Sequence, residues 1–212
     1  HLAAAFGSAE PFSVDFDPRW SRALAKGSFA QQRYLGHVIA QSLDIIATQA
    51  VDVLFTTPPV LRSLAAQMSA DQRASVRAIH YGGLPVDPME LCRLQTETFP
   101  NAVHIAGYGN TLFGCLLELT LAPGRPLRYF PHGSRLHFEL IDDAGECVPA
   151  GEQGRVRFSR FDESFLILRM LERDVATSIA LPADSPSGFK QMGLENPHTP
   201  ATILTDAAAG LY

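Results

Sequence analysis

From Ser28 to Gln49 the apolar residues Phe29, Leu35, Val38, Ile39, Leu43, Ile45 and Ile46 recur at mostly three- and four-residue steps. That spacing predicts a helix with one buried stripe, and Ser28 can cap its start. Val51 to Thr56 is a short β-branched and aromatic run, read as a buried strand. Pro58-Pro59 then opens a second helix through Met68, since proline is tolerated in a first turn. Val76 to Tyr81 reads as the next strand and ends at Gly82-Gly83. Pro88 to Phe99 reads as a helix, and Val103 to Ala106 as a third strand ending at Gly107. Strands alternating with helices over short connections predict a parallel sheet covered by helices. A ligand site is expected beyond the carboxyl ends of such strands. Two glycine-containing turns, Gly82-Gly83 and Gly107 to Gly109, are expected there.

The texture changes after Pro123. Leu136 to Ile141 and Arg155 to Ser159 alternate apolar with polar residues, the pattern of antiparallel strands with one wet face. Asp142 to Gly145 reads as a turn, and Phe165 to Leu168 as a further strand. Beyond Asp174 the pattern dissolves into Pro, Gly, Ser and Ala. The fold expected is α/β, a parallel sheet with covering helices followed by a smaller antiparallel β subdomain. Its expected division is residues 1–122, 123–181, and a linker or loosely ordered tail over 182–212.

Composition narrows the class. Of 212 residues, 46% are hydrophobic and 18% charged, enough to bury a core. No run approaches the roughly 20 apolar residues of a membrane helix. The opening His1 to Phe6 is apolar but short and lacks a basic leader, so it is not expected to be a signal peptide. A net charge of −5 argues against a nucleic-acid-binding surface. Cys92, Cys115 and Cys147 form no CxxC pair, which favours reduced thiols and a cytoplasmic location. Neither they nor His80, His104 and His132 have metal-ligand spacing, so no metal ligand is assigned. His132, in a Pro-His-Gly turn, is the histidine expected beside a pocket.

Three segments, in chain order, resemble the adenylate-forming acyl ligase superfamily, most closely its phenylacetate–coenzyme A ligase branch. They are Tyr81-Gly82-Gly83-Leu84-Pro85, Gly107-Tyr108-Gly109-Asn110-Thr111, and the stretch from His137 through Gly145–Ser159 to Arg173-Asp174. The resemblance spans residues 50–175. It implies ATP-dependent activation of a carboxylic acid as an acyl-adenylate, with magnesium, and transfer to coenzyme A or a carrier protein. It also implies an aryl acid, as in phenazine-type antibiotic pathways. In its terms Gly82, Gly83, Leu84, Pro85, Tyr108, Gly109, Asn110, Thr111 and Asp174 bind the nucleotide. Thr111 serves catalysis, and Tyr81, Ala106 and Gly107 line the acid pocket.

The chemistry suits the residue types. Bare backbone at Gly82 and Gly83 can approach a ring face. Tyr108 can stack on a base, Asn110 and Thr111 can donate to phosphate oxygens, and a carboxylate such as Asp174 can accept two ribose hydroxyls. Each also has a plainer reading: a tight turn at Gly82-Gly83, a packing aromatic at Tyr108, a solvated charge cluster around Asp174.

The sequence departs from the family pattern in three places. Residues 1–50 lack the Gly/Ser/Thr-rich phosphate loop, Leu112 stands where relatives carry a magnesium-holding glutamate, and nothing after Asp174 matches the hinge and catalytic-lysine domain. The first and third departures suggest an internal fragment, inactive alone. Leu112 also keeps a rival open: a non-catalytic AMP- or acyl-adenylate-binding or scaffold protein of the same fold. A doubly wound oxidoreductase is disfavoured, because no GxGxxG follows the first strand.

Overall fold

Helix α1 (Phe29–Gln49) buries Ile39 and Ile46, with Leu35 and Leu43 packed beside them, so this part of the expected stripe faces the core, while Phe29 at its start is 75% exposed. In this computed structural model residues 29–83, 86–119 and 125–200 are described. Ser28, Leu84 and Pro85 lie outside them, as do the two ends of the chain. Strand β1 (Val53–Thr56) leads into α2 (Pro58–Ala65), whose first turn holds both prolines. The expected helix to Met68 stops at Ala65, and a separate helix α3 (Ala70–Ser75) follows. Its start is a capping box: Ser69 Oγ accepts from the Gln72 amide while the Gln72 side chain accepts from the Ser69 amide.

Strand β2 (Ala78–Tyr81) comes next, then α4 (Pro88–Arg93), which Asp87 caps, and a π-helical turn over Leu94–Thr98. Strand β3 (Val103–Asn110) is followed by β4 (Gly114–Glu118), β5 (Arg128–Phe130), β6 (Leu136–Ile141), β7 (Gln153–Phe161), β8 (Leu166–Ile179) and β9 (Gly193–His198).

The architecture is α/β, with helix-covered parallel strands followed by antiparallel ones. The nine strands of the described residues belong to one sheet, ordered β1-β2-β3-β4-β5-β9-β8-β7-β6. Only β1, β2 and the first half of β3 are parallel, so the antiparallel part holds more strands than expected. Strands β4 and β5, on either side of the expected boundary at 122/123, are hydrogen-bonded neighbours. Residues 193–198, expected within a linker or loose tail, form β9 between β5 and β8. The reason is local: Gly193 lets β9 lie against the Phe130 ring, where a Cβ would be 2.5 Å from Cε1, and Leu194 is buried.

Helices cover one face of the parallel strands, over Leu54, Ile79, Tyr81 and Ala106. The opposite face leaves Val53, Phe55 and Val103 exposed. Among the described residues no helix is long and apolar enough to cross a membrane.

Strand β3 changes partner midway. Val103–Ala106 run parallel to β2, while Gly107–Asn110 run antiparallel to β4. The turn expected at Gly107–Gly109 is therefore strand, and the chain turns at 111–113 instead. Glycine permits this by close backbone approach. A Cβ on Gly109 would collide with the Gly114 carbonyl oxygen and lie 2.9 Å from the Cys115 Cα.

Gly109→Ala is expected to lower stability by about 1–3 kcal/mol or more, because the clash is with backbone that cannot yield cheaply. Gly36→Ala, in mid-α1 with nothing within 4 Å of its Cβ position, is expected to raise it by about 0.5–1 kcal/mol. Thermal melts of the two variants check the contrast.

Candidate functional site

Strands β3 and β8 lie four steps apart in the sheet order. At about 4.8 Å per step a flat sheet would hold them about 19 Å apart. The Tyr108 hydroxyl on β3 nevertheless donates to Asp174 Oδ2 on β8 at 2.9 Å. The antiparallel part of the sheet therefore curls until β8 returns over β3, and Phe113 packs edge-on against Phe158 of β7 at 5.0 Å between ring centroids. A cleft of about 330 Å³ opens where the curl closes, and Gly83, Tyr108 and Asp174 all line it.

Two bulges shape the cleft. Between Arg155 and Arg157 on β7 there is one residue, while between the paired Val175 and Leu171 on β8 there are three, Glu172, Arg173 and Asp174. The excess breaks the alternation of faces, so all three consecutive residues line the cleft. Opposite them β9 carries its own bulge. Val175 pairs with His198 and Thr177 with Glu195, which leaves Asn196 and Pro197 facing one residue. Asn196 has φ +50°, a left-handed conformation that asparagine tolerates.

Asp174 is held from two sides. Tyr108 donates to one carboxylate oxygen and the Thr199 hydroxyl donates to the other at 2.5 Å. The Arg173 guanidinium stands 4.0 Å away and is more than half exposed, so it is a weak partner. Burial first, then the Asp174 charge, pushes the Tyr108 hydroxyl far above the usual tyrosine value, so it remains a donor. Tyr81 and Tyr129 are pushed up in the same way, by burial and then by the Glu118 carboxylate.

The other expected site residues divide. Gly82 does not leave its bare side to a ligand: a Cβ there would stand 2.9 Å from the Gly107 carbonyl oxygen, so protein backbone uses the space. Gly83, at φ +77°, is the glycine that opens towards the cleft. Gly107 lines the cleft, and its bare side accommodates His80 Nε2 and Cys115 Sγ, 2.7 and 2.8 Å from the Cβ position. Gly109 and Asn110 also line it.

Asn110 is engaged within the protein. Its Oδ1 accepts from the Leu112 and Phe113 amides, which builds the β3–β4 turn, and its Nδ2 donates to Glu172 at 2.7 Å. Thr111 is exposed at the tip of that turn and is not among the cleft residues. Tyr81 and Ala106 do not form a pocket wall: they pair across β2 and β3 and are buried, each 1% exposed, in the helix-covered core.

His132 is bridged to Phe189 and packs edge-on against its ring, away from the cleft. His80 stacks on Phe55, and His104 contacts the Phe99 carbonyl at 3.1 Å. Burial holds both imidazoles below the usual histidine value.

Sequence reasoning missed Glu172, Tyr129 and the 196–199 wall. The Asn-Pro pair at 196–197 was the available signal, because a proline inside a strand marks an edge or a bulge. Among the described residues no group of three His, Cys, Asp or Glu side chains is placed to hold a metal ion.

No protein-family model matches the chain, and no curated protein does. Solved structures do. One is the anthranilate CoA ligase AuaEII in complex with anthranoyl-AMP, at 17% identity and TM-score 0.50, covering 77% of this chain and 32% of that one. Another is an open conformation of 2-hydroxyisobutyryl-CoA ligase in complex with 2-HIB-AMP and CoA, at 15% identity and TM-score 0.53, covering 81% and 36%. The chain thus spans about a third of the length of each. At these identities the likeness establishes the fold alone, that of a portion of such ligases.

Raised tyrosines have a sign. The unfolded chain loses its phenolic protons near pH 10.0 while Tyr81, Tyr108 and Tyr129 keep theirs in the fold. Their contribution to stability is complete below that pH and is lost as the pH rises above it. Phenolate absorbance should show these three titrating only with unfolding, and Tyr108→Phe should remove one of the late-titrating groups.

Proposed function

We propose that the chain forms the nucleoside-binding portion of an ATP-dependent ligase that activates a carboxylic acid as its acyl-adenylate. The observation that carries this reading is the convergence of Gly83, Tyr108 and Asp174 on one cleft, with Tyr108 and Asp174 hydrogen-bonded at 2.9 Å. The fold likeness to CoA ligases bound to acyl-AMP agrees with it.

In this reading the base lies along the Tyr108 and Tyr129 side of the cleft, against the backbone at Gly83 and Gly109. Aromatic side chains give a flat ring a low-cost apolar contact. Asp174 takes the ribose hydroxyls as a charged acceptor. The chain's part in the reaction is positioning: it holds the adenosine so that an acid carboxylate can meet the α-phosphate, which is worth much of the barrier in such transfers. Asn110, committed to its turn and to Glu172, serves to place Tyr108 and is not assigned to phosphate. Thr111 is assigned no catalytic role.

The residues present fit an adenosine and do not fit magnesium or a triphosphate. Leu112 offers no carboxylate, Glu172 and Asp174 are already hydrogen-bonded to Asn110 and to Tyr108 and Thr199, and among the described residues Arg173 is the only arginine or lysine on the cleft lining. No step through the metal is therefore assigned to these residues. An aryl acid, the phenylacetate–CoA ligase type, coenzyme A or a carrier protein as acceptor, and antibiotic biosynthesis rest on the sequence resemblance. Leu112 favours the second reading, an AMP- or acyl-adenylate-binding module without turnover.

Calorimetric titration of the chain should give AMP and ATP affinities within about threefold of each other, because little of the cleft grips the outer phosphates. Asp174→Ala should weaken both by about tenfold or more, the loss expected for a charged hydrogen-bond acceptor. ATP–pyrophosphate exchange by the full-length ligase of which this chain is proposed to be a portion, with a panel of aryl and alkyl acids, separates the readings. AMP binding with exchange supports the ligase, binding without exchange the module, and no AMP binding contradicts both.

A further inference from the structure

We propose that Thr199 is a positioning residue for Asp174, and that with Tyr108 it makes the cleft selective for a ligand with two adjacent hydroxyls, a ribose over a deoxyribose. The inference rests on the nucleotide reading above and adds to it the group that aims the carboxylate. Thr199 owes its place to register. Val175 pairs with His198, so the next antiparallel position sets Asp174 opposite Thr199, just beyond the end of β9.

A carboxylate offers about four lone-pair sites. Thr199 Oγ1 fills one on Oδ1, at 2.5 Å, and Tyr108 fills one on Oδ2, at 2.9 Å. Two donors on different oxygens fix the plane of the group, and one acceptor site remains on each oxygen for the cleft that Asp174 lines. Two neighbouring ribose hydroxyls match that pair of sites. Threonine suits the task because a β-branched side chain is stiff at χ1. Without its hydroxyl, the carboxylate is free to swing towards Arg173, whose Nε is 4.0 Å from Oδ1. One of the two acceptor sites would then leave the cleft.

The test is calorimetric titration of the whole chain with AMP, 2′-deoxy-AMP and 3′-deoxy-AMP. The wild-type chain should prefer AMP over at least one deoxy analogue by about tenfold or more, the size of one hydrogen bond to a charged group. In Thr199→Val, which keeps the shape, AMP affinity should fall to that of the deoxy analogue while the analogue's own affinity stays put. Thr199→Ser should restore the preference. A purely structural role would weaken all three ligands alike. Should the valine variant melt early, Thr199→Ala replaces it, and the wild-type preference is itself a test. AMP and both deoxy analogues binding the wild type equally, or an undiminished preference in the valine or alanine variant, overturns the role of Thr199 alone. No AMP binding by the wild type overturns the nucleotide reading and this inference with it.

Discussion

The hydrogen bond from Tyr108 to Asp174 exists only because the sheet closes back on itself, and that closure is the constraint from which the rest of the cleft follows. Strand β3 leaves its parallel partner after Ala106 and takes an antiparallel one from Gly107. The change depends on bare backbone at Gly82, Gly107 and Gly109, where a Cβ would meet the Gly107 carbonyl, the His80 and Cys115 side chains, and the Gly114 backbone in turn. Once β3 has turned, the antiparallel strands curl until β8 returns over it. Paired bulges on β8 and β9 relax the alternation of side chains just where the two walls meet.

The cleft's chemistry is uneven, and the unevenness bears on function. It has an aromatic flank, one carboxylate aimed by two hydroxyls, and one half-exposed arginine. Under the proposed nucleotide reading, such a set suits the sugar and base far better than the phosphates. The polar side chain best suited to phosphate by sequence, Asn110, is consumed in building the turn that presents Tyr108.

Much of the fold could be read along the chain because local physics decided it. The α1 stripe, the prolines opening α2, and the alternation in β6 and β7 each express a periodicity that the tertiary structure only had to accept. The site was half legible. Gly83, Tyr108 and Asp174, picked out by their motifs, line one cleft, whereas Gly82 packs on the Gly107 backbone and Tyr81 and Ala106 are buried. Whether a glycine's bare side faces a ligand or a neighbouring strand depends on register, which one sequence does not display. Tyr81 and Ala106 sit at motif positions but point to the helix-covered core. The wall at 196–199 stayed hidden because β9 earns its place by non-local pairing with β5 and β8, with little hydrophobic pattern of its own.

The claim that one nucleoside spans this closure is tested most directly by following backbone amide resonances of the labelled chain as AMP is added. The account predicts that Gly83, Tyr108, Gly109, Asp174 and Asn196 shift together along a single saturating curve. Shifts centred instead on the separate groove beside His137, Cys147 and Gln191, or none up to millimolar AMP, would contradict it.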